Sequence, residues 1–144
     1  MKNGIKLIVA MAMFAFVACS DSNSDNLPNT PLQGKVFGAS FTAKGGKAFK
    51  SGINSLSVHI TNLVAACDSN ISDYELEIST DIEIELGVFK KNIVFSKKGE
   101  TPLNFLNGTV EMVSFANNEL TLKVRANSNT NNTVEGTFTV PFCQ

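Results

Sequence analysis

The fold class is decided by residues 56–61, which read Leu-Ser-Val-His-Ile-Thr and alternate apolar with polar side chains. Successive side chains of a β-strand point to opposite faces, so this period of two is typical of a strand with one buried face. Residues 120–125, which read Leu-Thr-Leu-Lys-Val-Arg, repeat the pattern. No stretch after residue 34 keeps a helical period over three turns. The sequence therefore predicts an all-β domain.

Further alternating runs lie outward from these two stretches, at residues 74–79, 82–86 and 134–142. The residues between the runs favour tight turns, because Gly and Asn tolerate the positive φ angles that hairpins require. The turn candidates are Gly45-Gly46, Gly87, Lys98-Gly99, Asn107-Gly108, Asn117-Asn118 and residues 127–132. Short strands at intervals of about 8 to 12 residues predict an antiparallel sandwich or a barrel.

The choice between these two architectures depends on Val113 and Phe115, which lie out of phase within one strand. A strand covered on both faces would explain that pattern, so we predict an antiparallel β-sandwich. An open or lipocalin-like barrel is the alternative. Residues 63–72 lack alternation and predict a short helix or a long loop, and the absence of a fixed repeat argues against a solenoid or propeller.

The N-terminal segment has the three parts of a signal peptide. Lys2 and Lys6 supply a positive start, residues 7–17 are apolar, and the small residue Ala18 ends the run. A membrane-spanning helix needs about 20 apolar residues, and this run is shorter. Residues 1–18 are therefore predicted to be a cleavable signal peptide.

Residues 16–19, which read Phe-Val-Ala-Cys, resemble the lipobox of bacterial lipoproteins, in which a cysteine follows a small residue. Phe16 departs from the leucine that is usual there. The resemblance implies that Cys19 is joined to diacylglycerol and becomes the N-terminus of the mature protein. Dual acylation gives a stable anchor, at about 0.8 kcal/mol per buried methylene. The alternative is a plain signal peptide followed by an incidental cysteine.

Residues 20–26 read Ser-Asp-Ser-Asn-Ser-Asp-Asn, and Pro28 and Pro31 follow. This composition predicts an unfolded tether over residues 19–33, which leaves residues 34–144 as a single β domain. A lipid-bearing cysteine followed by Ser and Asp resembles the export signal of surface lipoproteins in the Bacteroidota. The resemblance implies a position on the outer face of the outer membrane; the periplasmic face is the alternative.

The β domain itself resembles small uncharacterised surface lipoproteins of the Bacteroidota at residues 108–111, Gly-Thr-Val-Glu, and 136–138, Gly-Thr-Phe. Families of that kind are largely of unknown function, so the resemblance implies no catalytic residue. The net charge of −1 offers no clustered Lys and Arg for phosphate contacts, which argues against nucleic-acid partners. The membrane is the one partner that the sequence indicates, through the lipid anchor. The sequence does not indicate whether the domain also binds a protein or a glycan.

The cysteine count supports the lipobox, because three cysteines would be an odd number for an exported chain. If Cys19 carries lipid, Cys67 and Cys143 are left as a pair. In an oxidising compartment they are expected to form a disulfide, which the chain-entropy model values at about 4 to 5 kcal/mol. Two buried free thiols are the alternative.

Histidine occurs once, as His59, on the polar side of its strand beside Ser57. A nucleophile, histidine and acid triad could be built around Ser57, but the chain has no Gly-x-Ser-x-Gly elbow. Zinc would need three or four His or Cys ligands, which one histidine and a disulfide do not supply. We therefore interpret His59 as a surface histidine of a strand, and we predict no cofactor.

The densest charge feature is a set of carboxylates on two adjacent runs, Glu75, Glu77, Asp81, Glu83 and Glu85. A turn near Thr80 would pair the two runs and gather the acids on one face. Several carboxylate oxygens suit calcium, and paired acids suit a hydrolase that uses Glu75, Glu77, Glu83 or Glu85. We favour a solvated acidic face that resists aggregation, because the chain contains no Asp-x-Asp-x-Asp-Gly loop.

Aromatic residues do not indicate a sugar platform, since the chain has no Trp and one Tyr. Phe37, Phe41 and Phe49 on the first hairpin are expected to pack in the core. The sequence thus predicts a non-enzymatic interaction or accessory module on a lipid anchor. The alternatives are a ligand-binding or calcium-binding β domain, a pilus or fimbrial subunit, and a carboxylate-based hydrolase.

Overall fold

A computed structural model describes residues 26–70 and 72–144 of the protein. Within these residues the chain forms nine β-strands and no helix, and hence no helix that could span a bilayer. The predicted all-β class is confirmed. The predicted signal peptide, the lipid site Cys19 and the start of the tether lie outside the described residues.

The nine strands vary from four to fourteen residues in length. Their bounds are β1 Gln33–Val36, β2 Ala39–Thr42, β3 Gly45–Lys50, β4 Ser55–Thr61, β5 Leu76–Glu83, β6 Gly87–Lys97, β7 Leu103–Ala116, β8 Glu119–Asn129 and β9 Asn132–Cys143. Each strand from β3 to β8 pairs with the next strand in the chain, and β1 pairs with β2. Strands β2 and β3 do not pair with each other. Long neighbouring strands such as β7 and β8 supply most of the sheet.

The sheet closes on itself through β9, which pairs with β8 along one edge and with β3 and β1 along the other. Strands β3 to β9 form a closed seven-stranded barrel, and the β1–β2 hairpin extends the sheet from β9. The β3–β9 pair is parallel, from Ala48 beside Phe142 to Phe49 beside Cys143, while the other strand pairs are antiparallel. The structure is thus the barrel alternative, closed and mixed, and the preferred antiparallel sandwich is not what the chain forms.

A β-bulge explains why the sequence favoured the sandwich. The β7–β8 register shifts between Met112 and Ser114, which leaves Val113 as an extra residue without an opposite partner. A bulge reverses the alternation of the residues after it, so Val110 and Met112 are buried before it, whereas after it Phe115 packs against the core and Ser114 is exposed. The phase change at Val113 and Phe115 therefore reflects the bulge and not a strand covered on both faces.

The hydrophobic core fills the inside of the barrel. Leu56, Val58 and Ile60 of β4 point inward, as their alternation predicts, and Phe95 of β6 is among the largest fully buried side chains. Burial at about 25 cal/mol per Å² of apolar area makes this interior the main stabilising contribution. The polar side chains between them point outward, where any functional surface must form.

The turn predictions had mixed outcomes. Asn117 and Asn118 join β7 to β8 with φ angles of 54° and 59°, which confirms the turn and matches the two positive φ angles of a type I′ hairpin. Residues 98–102 also connect two strands as expected, and residues 130–131 connect β8 to β9. The Gly45-Gly46 and Asn107-Gly108 predictions were wrong, because these pairs lie inside β3 and β7, the second beside a register shift.

The predicted tether is shorter than expected, because residues 26–32 pack on the barrel and Gln33 begins β1. Leu27 and Leu32 are almost completely buried. Thr137 of β9 holds this lead segment by donating its N–H to Thr30 O at 2.7 Å and its hydroxyl to Pro28 O at 3.0 Å. An unfolded tether cannot extend to residue 33, because the segment from Asn26 onward belongs to the folded domain.

Candidate functional site

Two polar surfaces lie on the outside of the barrel, and loop residues cover only one of them. We call them the covered face, where His59 and Glu77 lie beneath the loop after β4 (described residues 62–70 and 72–75), and the open cleft, which crosses β2, β1, β9 and β8. Both arise because alternation places polar side chains outward on neighbouring strands. They contain the candidate functional residues of the described chain.

A disulfide fixes the loop of the covered face. Cys67 in the loop is bonded to Cys143 at the end of β9, with Cα atoms 5.3 Å apart, which confirms the predicted pairing. The loop begins at the end of β4, whereas Cys143 lies beside Phe49 near the opposite end of β3. The bond therefore draws residues 62–75 along the outer side of the barrel instead of leaving them at its end.

Hydrogen bonds to backbone carbonyls of the loop hold it against β3. Lys47 Nζ donates a hydrogen bond to Ser69 O, and Gly46 N donates to Ala65 O at 3.4 Å. Gly45 lets the loop approach closely, because a Cβ at that position would lie 2.1 Å from Ala65 N. The glycine pair that the sequence suggested as a turn instead provides a flat strand surface for the loop.

Ser57, His59 and Glu77 follow one another across the covered face. Ser57 Oγ lies 3.4 Å from His59 Nε2, and His59 Nδ1 lies 3.2 Å from Glu77 Oε1. Phe49 stacks on the His59 ring at 5.5 Å between centroids with an interplanar angle of 11°. His59 is therefore a half-buried residue held by three side chains, and the interpretation as a plain surface histidine was wrong; Phe49 lies on the outside and not in the core.

The arrangement has the order of a catalytic triad but not its hydrogen-bond geometry. His59 Nδ1 and Glu77 Oε2 are buried and have no hydrogen-bond partner among the described residues, so the 3.2 Å contact is an ion-pair approach without alignment. The space beside them is about 10 Å³, near the minimum for one water molecule. A substrate has no room there, and we interpret the covered face as a packed polar contact.

The five predicted acidic residues do not gather on one site. Residues 76–83 form one continuous strand, so the turn expected near Thr80 does not exist and the two runs do not pair with each other. Glu77 is buried beside His59, Asp81 and Glu83 are exposed further along β5, and Glu75 and Glu85 lie outside the strand. Within residues 26–70 and 72–144 no three Asp, Glu, His or Cys side chains are placed to share a metal ion.

Glu83 has the one resolved change in acidity among these residues. The Lys91 ammonium donates a hydrogen bond to its carboxylate, which lowers the pKa of Glu83 from its ordinary value of 4.5, and a backbone hydrogen bond acts in the same direction. The Glu83 side chain is 55% exposed, so solvent screens the pair. This contact is a surface ion pair and not half of a catalytic acid pair.

The open cleft has a volume of about 550 Å³ and crosses four adjacent strands. Register places its outward side chains in two rows. One row runs through Thr42, Gln33, Glu135 and Arg125, and the other runs through Ser40, Lys35, Thr133 and Asn127. At the end of the first row Arg125 Nε donates to Glu135 at 3.3 Å and Nη2 donates to Asn26 O at 3.2 Å.

Most polar side chains of the open cleft have no hydrogen bond within the described chain. This set consists of Gln33, Ser40, Thr42, Asn127 and Thr133. Each offers donors and acceptors that are satisfied by solvent or by a bound molecule. Concave surfaces with converging polar groups are the usual form of ligand and peptide sites, so this cleft is the best candidate for binding.

No sequence pattern marks the open cleft, because its rows combine side chains from β1, β2, β8 and β9, and the first two strands are distant along the chain from the last two. Phe41 was expected in the core and is found there, and Phe37 is partly buried against the core, so no exposed aromatic strip marks the cleft.

Comparison of the chain with protein-family models, curated proteins and solved structures gave no match in any of the three.

Proposed function

We propose that the protein is an outer-membrane-anchored surface lipoprotein whose small β-barrel acts as a non-enzymatic binding or accessory module. The lipobox at residues 16–19 and the Ser-Asp tail that follows it support the anchor. The disulfide supports export, because such bonds form and persist in oxidising compartments. The barrel with its open cleft supports binding.

Chain length supports a position close to the membrane. Asn26 follows Cys19 by seven residues, a stretch that extends at most about 24 Å. Asn26 is already held by Arg125 of β8, and Leu27 is buried. In this proposal the barrel stays within a few tens of ångströms of the lipid, with a short reach for partners.

The open cleft is the observation that carries the binding part of the proposal. Its five unpaired polar side chains lie on paired strands of one sheet and not on long loops, so their positions are fixed before a ligand arrives. Preorganised polar groups lose little conformational entropy on binding. The covered face lacks such accessible groups, because its loop and disulfide occupy the surface.

The anchor is tested by the mass of the mature N-terminus after expression in a host with lipoprotein processing. We expect a diacylated or triacylated Cys19 and loss of membrane association in Cys19→Ala. Protease treatment of intact cells then distinguishes the two faces of the outer membrane. An unmodified Cys19, or a chain released with the soluble periplasmic fraction, would contradict the proposal.

The cleft is tested by site-specific photo-crosslinking in whole cells. A photoreactive residue at Thr42, inside the open cleft, is expected to give a discrete crosslinked species. The matched control is the same residue at Asp81, which is exposed on the outer side of β5. Equal crosslinking at both positions, or none at Thr42, would contradict a binding role for the cleft. Thr42→Ala should weaken the crosslink from a neighbouring position without changing stability, because its hydroxyl has no partner in the fold.

A further inference from the structure

Strand β2 is the only described strand that has a single neighbour. Strands β3 to β9 are each paired on two sides by the closed barrel, and β1 lies between β2 and β9. An edge strand exposes unpaired N–H and C=O groups that can extend the sheet with another chain. Residues 80–83 of β5 and 103–108 of β7 also lack a partner on one side, but β2 is the described strand whose outer side is unpaired along its whole length.

The hydrogen-bond pattern shows which groups of β2 face outward. Ala43 N donates to Leu32 O at 3.0 Å, so the N–H of residue 43 points toward the β1 side of the hairpin. Hydrogen-bonded and non-hydrogen-bonded pairs alternate along an antiparallel ladder, which makes Phe41 with Gly34 a bonded pair and leaves Ser40 and Thr42 in non-bonded pairs. The N–H and C=O groups of Ser40 and Thr42 therefore point away from β1.

The edge carries few of the features that protect natural edges. Residues 39–42, Ala-Ser-Phe-Thr, contain no charge and no proline, and their pairing with β1 is continuous, without a bulge. Ala39, Ser40 and Thr42 are exposed. Shortness is the single protection that the strand has. The edge is thus open to a short partner strand and contains no group that would repel a copy of itself.

We propose that β2 pairs antiparallel with β2 of a second copy of this chain, about a two-fold axis at Phe41. In this register Ser40 lies opposite Thr42 of the second copy, and Thr42 lies opposite its Ser40. Each of these two pairs exchanges two hydrogen bonds, because the outward groups of residues 40 and 42 match those of a bonded antiparallel pair. The pairing makes four hydrogen bonds and joins two barrels through one continuous sheet.

The self-complementarity of this edge is what selects a second copy as the occupant. A two-fold contact uses the same patch on both partners, and the spacing of Ser40 and Thr42 around Phe41 satisfies that condition without any shift in register. The side chains of Ser40 and Thr42 are uncharged and have no partner in the fold. The contact is small, so we expect association at high local concentration and not a permanent dimer.

Cysteine pairs test the register directly. An equimolar mixture of Ser40→Cys and Thr42→Cys chains is expected to form a disulfide-linked dimer under mild oxidation, because opposite residues of a bonded pair have Cα atoms about 5.5 Å apart. Either variant alone should crosslink much less, since equal positions lie diagonally at about 7 to 8 Å. Equal crosslinking in all three samples, or none in the mixture, overturns the proposed register.

Ser40→Pro tests the edge bond without damaging the barrel. Proline removes the outward N–H of residue 40, which β1 does not use, and edge strands accept proline at such positions. Ser40→Ala is the matched control, because it keeps the N–H. In analytical ultracentrifugation of the purified full chain up to about 1 mM, the proline variant should associate roughly 30-fold more weakly than the alanine variant, since two of four hydrogen bonds are lost.

Unfolding curves for both variants show whether the barrel is intact, so a loss of association cannot be mistaken for a loss of folding. A full chain that stays monomeric throughout, or a proline variant that associates as the wild type does, overturns the inference. A lipid anchor is not required for the pairing itself. The mass of the N-terminus decides the anchor. A Thr42 crosslink at twice the chain mass reports the pairing of β2, whereas a crosslink at any other mass reports a partner in the open cleft, so the failure of either proposal is seen separately.

Discussion

The covered face and the open cleft are both polar outer surfaces of the same barrel, and they differ in what lies above them. On the covered face a disulfide-bound loop lies over His59 and Glu77 and leaves about 10 Å³ of space. No loop of residues 26–70 or 72–144 lies over the open cleft, which has a volume of about 550 Å³. Outward polar residues of this barrel therefore form either an accessible site or a packed contact, depending on whether a segment of the chain covers them.

The two regions also differ in how their polar groups are satisfied. On the covered face His59 contacts Ser57, Phe49 and Glu77, and these contacts leave a buried carboxylate oxygen without a protein partner. In the open cleft the polar side chains keep their solvent. The buried polar groups of the covered face contribute to the free energy of unfolding while their contacts are complete, and the protein loses stability when one partner is removed. The polar side chains of the open cleft can be substituted with little loss of stability.

The disulfide has the largest expected effect on this contrast. Cys67→Ser with Cys143→Ser opens a loop closed across 76 residues, so the free energy of unfolding should fall by about 4 kcal/mol. Hydrogen exchange in residues 62–75 should rise while exchange across the open cleft changes little. Urea unfolding of the wild type in reductant should give the same loss. Unchanged exchange in the loop would show that the loop does not depend on the bond.

Two glycines allow the segments beside these surfaces to be displaced separately. A Cβ at Gly45 meets the loop at Ala65, and a Cβ at Gly136, where φ is 137°, meets the backbone of residues 30–32 at 2.6 Å. Gly45→Ala and Gly136→Ala are each expected to cost about 2 to 3 kcal/mol of unfolding free energy. Limited proteolysis should cut the loop in the first variant and the lead segment in the second. The same cut in both would contradict the separation of the two regions.

Removing one partner of the polar side-chain pair in each region gives a smaller effect. His59→Gln leaves the buried Glu77 carboxylate without its partner and should cost about 2 kcal/mol. Glu135→Gln in the open cleft should change stability by under about 0.5 kcal/mol, because the Arg125 pair is exposed. The double variant His59→Gln with Glu77→Gln should recover part of the loss, since no charge is then buried. Thermal unfolding at neutral pH measures all three.

Acid titration gives the smallest expected effect and concerns neither region. The Lys91 hydrogen bond lowers the pKa of Glu83 in the folded protein, so the stability it contributes is present above pH 4.5 and is lost as pH falls through the lowered folded pKa. In Glu83→Gln the loss of stability below pH 4.5 should be slightly shallower than in the wild type. Carbon-13 NMR of the Glu83 carboxyl should show its pKa rising in Lys91→Met. Identical titration curves would contradict the pair.

The sequence predicted those parts of the fold that depend on local period and local turns. Alternation at residues 56–61 and 120–125 identified β4 and β8 with their inward sides, and Asn117-Asn118 identified a hairpin. It did not identify the bulge at Val113, because an inserted residue shifts the phase in the same way as burial on both faces. Because the bulge was not identified, the sequence favoured a sandwich over a barrel.

The sites depended on contacts between distant parts of the chain, which period cannot show. The Cys67–Cys143 bond could be predicted from cysteine parity, because that reasoning needs no geometry. The burial of Glu77 could not, since the loop that covers it is placed by the same disulfide. The open cleft needed the register of four strands, and the acidic face failed because β5 runs through Thr80 without a turn.

The position of β9 has a consequence for the order of events during folding. This strand, at residues 132–143, supplies one side of the pairs with β1, β3 and β8 and one half of the disulfide. Until β9 pairs, the sheet of β3 to β8 is an open ribbon with two free edges. The long sequence separation between β3 and β9 makes closure slow. For the exported chain that we propose, this architecture postpones closure of the barrel until β9 has crossed the membrane.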